Sequence, residues 1–125
     1  MSGPVIGIGV DAVDVDRFRR ALARTPSMRT RLFTPQELAD VAARADPTQS
    51  LAARFAAREA VMKAMGLGLG AFGFHDAWVR RASSGAPSLV IVGRAAELAA
   101  ERGITEWLLS ITHTELVAVA HVIAQ

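Results

Sequence analysis

Asp11, Glu59 and the chain's single lysine, Lys63, are the residues whose types and spacing could do chemistry. Thirteen arginines carry all the other basic charge. Arginine is a permanently charged planar fork, whereas lysine is a compact ammonium whose pKa can move. Glu59 and Lys63 lie four apart and so share one face of a helix. Asp11 follows the apolar run Val5-Ile6-Gly7-Ile8-Gly9-Val10. Each has an ordinary explanation alone: a surface ion pair for Glu59 and Lys63, a turn-starting carboxylate for Asp11. Together, two carboxylates and an ammonium make the parts of a small Mg²⁺ and phosphate site. That hard cation takes one or two carboxylates and fills its shell with water and phosphate oxygens.

Other motifs carry less. Gly68-Leu-Gly-Ala-Phe-Gly73 spells GxGxxG but follows a helix, not the strand that a dinucleotide fingerprint requires. Gly7-Ile-Gly-Val-Asp-Ala12 fits the looser GxGxxA form, yet puts Asp11 where a pyrophosphate would sit, which repels that ligand unless a metal intervenes. Gly66 and Gly68 are read instead as a helix stop that lets a phosphate-bearing ligand approach the backbone. Ser110-Ile-Thr-His113-Thr114 gathers hydroxyls and an imidazole at a strand end, with no partner for a hydrolase triad. His75, His113 and His121 lack zinc-ligand spacing. Arg17, Arg20 and Arg24 form a stripe that is either a solvated helix face or a dock for an acidic partner.

The elements that must position these residues follow from pattern. Val5 to Asp11 reads as a buried strand with Asp11 near its end. Val15, Phe18 and Leu22 mark a helix from about Asp14 to Arg24, its arginine stripe nearly opposite. Thr34-Pro35-Gln36-Glu37 is a capping box with proline at the first helical position, opening a helix to about Ala45. A long helix from about Gln49 to Met65 buries Leu51, Phe55, Met62 and Met65 and stops at Gly66. Strands are expected over residues 75–81 and 89–92, with a turn at Ser83–Pro87. A helix is expected from Arg94 to Arg102. Trp107–Thr112 and Leu116–Ile123 are joined closely enough to pair antiparallel. Helices followed mostly by strands give an α+β class.

Composition bounds the rest. The 125 residues suit one domain spanning 1–125, and 51% hydrophobic content is ample for a core. No apolar run reaches the roughly 18 residues of a membrane span. The sequence lacks cysteine, so thiolate metal sites and disulfides are excluded. A cytoplasmic protein without membrane or nucleic-acid partners is expected. The net charge of +2 is small, and charges of both signs are interspersed.

Taken in order, Gly9-Val-Asp11, Phe33-Thr-x-x-Glu37, Arg54-Phe-Ala-Ala-Arg-Glu59-Ala-x-x-Lys63-Ala-x-Gly66-x-Gly68, Gly85-Ala-Pro87 and Ser110-Ile-Thr-His113-Thr114 resemble the holo-[acyl-carrier-protein] synthases. These are the short class of 4'-phosphopantetheinyl transferases. The resemblance runs from Ile8 to Ile123, and the Arg54–Lys63 block is its most specific part. It implies the 4'-phosphopantetheinyl transferase fold, an antiparallel sheet with a long central helix, and a homotrimer with active sites between subunits. It implies transfer of the 4'-phosphopantetheine arm of coenzyme A to a serine of an acidic apo acyl carrier protein, with Mg²⁺. The carrier could serve fatty acid, polyketide or peptide synthesis.

By position, the resemblance assigns Mg²⁺ to Asp11 and Glu59. Glu59, directly or through a metal-bound water, would help deprotonate the serine, and Lys63 would steady the pyrophosphate. Arg54 and His113 would contact nucleotide phosphates, Gly66, Gly68 and Pro87 would shape the coenzyme pocket, and Arg17, Arg20 and Arg24 would dock the carrier. Arg58 stands where the family usually has lysine. Two other readings stay open: a non-catalytic module using the arginine stripe, and a catalytically silent relative.

Overall fold

The helix carrying Glu59 and Lys63 is buried on nearly every side, and the other elements are arranged around that fact. The computed structural model describes residues 3–125. In chain order they form β1 (Gly7–Asp14), α1 (Val15–Arg24), α2 (Met28–Leu32), α3 (Pro35–Val41), α4 (Thr48–Ala64), β2 (Ala77–Arg81), β3 (Pro87–Ile91), α5 (Gly93–Glu101), β4 (Trp107–His113) and β5 (Val117–Ala124). The class is α+β, and every strand pairing is antiparallel. The strands divide into a three-stranded sheet, β1-β5-β4, and a separate β2-β3 hairpin.

α4 packs against β1, β5, β4, β2 and α1. Its Ala52, Ala53, Ala56, Ala57, Ala60 and Ala64 are all buried, and short side chains let the neighbouring backbones come close. Closest is β1. A Cβ added at Gly7 would lie 1.8 Å from the Ala64 carbonyl oxygen, and one at Gly9 1.8 Å from that of Ala60. The glycines that mimic a nucleotide fingerprint therefore serve helix–strand contact. We expect Gly9→Ala to cost about 1–3 kcal/mol by forcing the two backbones apart. Gly68→Ala, where a Cβ meets nothing within 4 Å, is expected to cost less than about 0.5 kcal/mol. Urea denaturation of both variants measures the difference.

Several boundaries differ from the sequence reading. β1 runs on to Asp14, so Asp11 lies inside the strand, and Asp14 caps α1 by accepting the Arg17 N–H at 2.9 Å. β1 is not buried. It is a sheet edge with one face on α4, and its Ile8 and Val10 are exposed. α3 stops at Val41, where the Ala42 N–H already turns back to Ala39, short of the expected end near Ala45. α2 was not anticipated, for its five residues are too few to set a period. His75 lies before β2, not in it. Phe55 is half-buried, and the buried surface of α4 is far wider than the four residues expected. The α3 capping box forms as read, with Thr34 and Glu37 each bonding the other's backbone. α4 ends in a reciprocal pair of bonds, Leu67 N–H to Met62 at 2.9 Å and Gly66 N–H to Lys63 at 3.0 Å, with Gly66 at φ +71°.

Candidate active site

Asp11 and Lys63 meet because β1 lies directly on α4. Lys63 Nζ donates to Asp11 Oδ1 at 2.9 Å and to the Val10 carbonyl at 3.2 Å. Asp11 is largely covered, while about half of the Lys63 side chain is open to solvent, so the ammonium can still meet a ligand. Glu59 sits one helical turn before Lys63. Among the described residues its carboxylate has no hydrogen-bond donor. Burial pushes the Glu59 carboxyl above its usual range, nearby Asp11 pushes it further, and Lys63 offsets part of the rise. A half-buried carboxylate beside another, with one ammonium between two negative charges, leaves room for an added cation.

Two cavities share Glu59 as a wall. One, of about 400 Å³, is lined by Asp11, Asp14, Arg17, Phe18, Phe55 and Glu59. The other, of about 180 Å³, is lined by Glu59, Met62, Lys63, Leu67, Gly68 and Leu69. The structure thus brings together Asp11, Glu59, Lys63, Gly68 and one member of the arginine stripe. Gly66 lies just outside as the helix stop. Arg17, Arg20 and Arg24 are all exposed on α1, and none forms an ion pair among the described residues.

The remaining expected residues lie elsewhere. Pro87 and His113 line a cavity of about 340 Å³ with Ser50, Arg81, Gly85 and Thr112. This cavity is at the β4 edge of the sheet, whereas Asp11 is on β1, the opposite edge. Ser50 and Lys63 are also about 20 Å apart along α4 at 1.5 Å per residue. Arg54 belongs to this second group but is 1% exposed and does not line the cavity. Its Nη1 donates to Ser50 Oγ, its Nη2 lies 3.6 Å from Asp40 Oδ2, and its Nε has no partner.

Ser50 and Arg81 were not singled out from sequence. A signal existed: Ser50 is one turn before Arg54, and Arg81 is the strand partner of Pro87. Arg58, which stands where the family usually has lysine, is fully buried. It donates to Glu37 through both Nη atoms, and through Nε to the Phe74 carbonyl at 2.6 Å. Its burial in this pair leaves it no path to a ligand.

Residues 7–120 match the family model of the 4'-phosphopantetheinyl transferase superfamily. A holo-[acyl-carrier-protein] synthase of Micrococcus luteus is 46% identical over 123 residues, covering 97% of this chain and 92% of that one. The crystal structure of the holo-[acyl-carrier-protein] synthase of Neisseria meningitidis superposes with a TM-score of 0.87 at 31% identity, covering 98% and 99% of the two chains. That of Helicobacter pylori, in complex with coenzyme A, gives 0.81 at 26% identity, covering 94% and 99%.

Proposed function

Since the chain belongs to the 4'-phosphopantetheinyl transferase superfamily, as a relative of its holo-[acyl-carrier-protein] synthases, we propose that it transfers the 4'-phosphopantetheine arm of coenzyme A to a serine of an apo acyl carrier protein. The observation that carries this reading is the meeting of Asp11, Glu59 and Lys63 between two cavities. Residues 1–125 act as one domain, in the cytoplasm. No helix among the described residues is long and apolar enough to cross a membrane.

The donor set fits Mg²⁺. Asp11 and Glu59 supply two hard oxygen ligands, and the described residues hold no cluster of three or more His, Cys, Asp or Glu. Such a site takes its remaining ligands from water and phosphate. Asp11 and Glu59 would hold the ion, which when bound neutralises charge on the pyrophosphate. Glu59 takes the proton of the carrier serine. The serine oxygen forms a bond to the phosphorus attached to pantetheine as the bond to the bridging oxygen breaks. Adenosine 3',5'-bisphosphate leaves, and the Lys63 ammonium balances the charge that develops on it. Gly68 shapes the pocket wall beside Lys63, and Gly66 ends the helix just outside it. Arg17, on the wall it shares with Asp11 and Glu59, joins Arg20 and Arg24 in docking the acidic carrier.

The coenzyme site is completed by a second copy. Within one chain the edge bearing Pro87 and His113 faces away from Asp11. A neighbour that set its β4 edge against this β1 edge would unite them, and a head-to-tail contact that closes gives a ring. The outer face of the sheet supports a homotrimer. Ile8, Ile123 and Leu108 form a cross-strand apolar row there, and Ile8 is 62% exposed in the isolated chain. We expect Ile8→Arg to give monomers in sedimentation analysis and to lose transfer activity. An active monomer would contradict the shared site.

The reaction is tested by intact mass measurement of an apo acyl carrier protein after incubation with this chain, coenzyme A and Mg²⁺. A gain of one phosphopantetheine, abolished by EDTA, is the expected result. No gain with several apo carriers would overturn the reading.

A further inference from the structure

The outer face of the β1-β5-β4 sheet carries one imidazole among apolar and small side chains. On β5 the buried Ala118, Ala120, Val122 and Ala124 turn inward, which leaves Val119, His121 and Ile123 outward. The register sets His121 between Val10 of β1 and Ser110 of β4. Its diagonal neighbours are Ile8 and Ala12 on one side, Leu108 and Thr112 on the other. None of these six side chains titrates near neutral pH. Asp11 and His113, titratable groups of the two flanking strands, belong to the opposite alternation. Asp14 on β1 and Glu106 ahead of β4 share the alternation of His121, but each is four strand positions away, about 13 Å. His121 is exposed in the isolated chain, beside a groove of about 320 Å³ walled in part by Ile8, Leu108, Ser110 and Ile123.

This is the face that the proposed homotrimer covers, and the inference rests on that reading. β5 is the middle strand of its sheet. In a closed ring of three sheets with their apolar faces inward, the middle strand of each is set toward the axis. His121 of three copies then shares one interior, with no carboxylate among its neighbours on the face. An ordinary imidazole takes up a proton near pH 6.5. Removal from water disfavours the charged form, and like charges brought together disfavour it further.

We propose that His121 makes assembly of the chain pH-sensitive: three neutral imidazoles permit the closed ring, and their protonation opens it. The assembled state holds these protons less tightly than the separate chains do. Well above pH 6.5 both states are neutral and assembly is unimpeded. As pH falls through the value of the separate chains, they take up protons that the ring refuses, so assembly weakens. In the same reading the coenzyme site is shared between neighbours, so opening the ring also dismantles the site.

Sedimentation equilibrium at pH 7.5 and 5.5 is the test, with circular dichroism confirming the fold at both. For the unaltered protein, the concentration giving half-assembly should be about 10- to 30-fold higher at pH 5.5, the linkage for three ordinary imidazoles that must each shed a proton. His121→Gln is neutral at both values and should shrink the shift to less than about 3-fold. His75, His113 and Glu59 remain in that variant and report any contribution of their own. Equal assembly of the unaltered protein at the two pH values, or a shift that His121→Gln leaves intact, would overturn the proposal. If His121→Gln does not assemble at pH 7.5, the imidazole itself gives the answer. Its ring-proton signals in nuclear magnetic resonance should titrate at lower pH in the assembled unaltered protein than in the monomeric Ile8→Arg variant, and equal midpoints would overturn the proposal. If the unaltered protein is monomeric at both pH values, the trimer reading fails and this inference with it. A trimer of constant strength makes this inference alone fail.

Discussion

Glu37→Ala is expected to cost about 3–5 kcal/mol of folding stability, the range for breaking a buried ion pair by removing one partner. Glu37 and Arg58 are both 0% exposed. Glu37 accepts the backbone N–H of Thr34 at 3.0 Å and of Val79 at 3.1 Å, and Arg58 Nη1 at 2.9 Å. Arg58 adds the Phe74 carbonyl and the Arg54 carbonyl, the latter at 3.2 Å, with its guanidinium 5.2 Å from the centre of the Phe33 ring. One carboxylate thus joins the start of α3, the middle of α4 and β2. Removing it leaves a guanidinium in the core with no countercharge, and frees the Val79 N–H in a buried strand. Glu37→Leu combined with Arg58→Met should be milder than Glu37→Ala, since an apolar pair leaves no charge unsatisfied. Urea denaturation compares them. A loss below about 1 kcal/mol for Glu37→Ala would mean the pair is solvated. Arg58→Lys should also destabilise, because an ammonium cannot reproduce the paired Nη contacts.

Glu37 also shows what sequence can and cannot disclose. Its place in a capping box was legible, because that motif is local: Thr34 and Glu37 bond within one helical turn. Its second role was not, because Arg58 and Val79 come from other elements. The same division runs through the site. Glu59 and Lys63 share a helix face by spacing alone. That Asp11 reaches Lys63 depends on the close seat of β1 on α4, which the glycines encode without announcing it. Strand polarity misled for a physical reason. An apolar run such as Val5–Val10 signals burial, but an edge strand in a chain that leaves one sheet face uncovered exposes half of it. Arg54 and Arg58 are indistinguishable as letters from the surface arginines of α1. What buries them is the encirclement of α4, which only the assembled elements create.

Glu59→Gln should move activity and stability in opposite directions. The carboxyl is pushed above its usual value of 4.5 by burial and by Asp11. The sign follows from which state holds the proton more tightly. At pH below 4.5 both folded and unfolded forms are protonated, and Glu59 costs nothing. As pH rises from the unfolded value through the raised folded value, the folded protein gives up a proton it holds more firmly, so stability falls. Above that window the cost is complete. Glutamine carries none of it, so metal-free Glu59→Gln should melt no lower than the unaltered protein at pH 7, with any advantage gone at pH 4. Mg²⁺ with coenzyme A should raise the melting temperature of the unaltered protein more than that of the variant, since a ligand stabilises the state that binds it. Carrier modification by the variant should fall about 10²- to 10⁴-fold, the worth of a positioned general base. Near-normal transfer by Glu59→Gln would remove Glu59 from the reaction. A variant markedly less stable at pH 7 would make Glu59 a structural residue. A carboxylate that burdens the fold and is needed for turnover is one the fold retains for its chemistry.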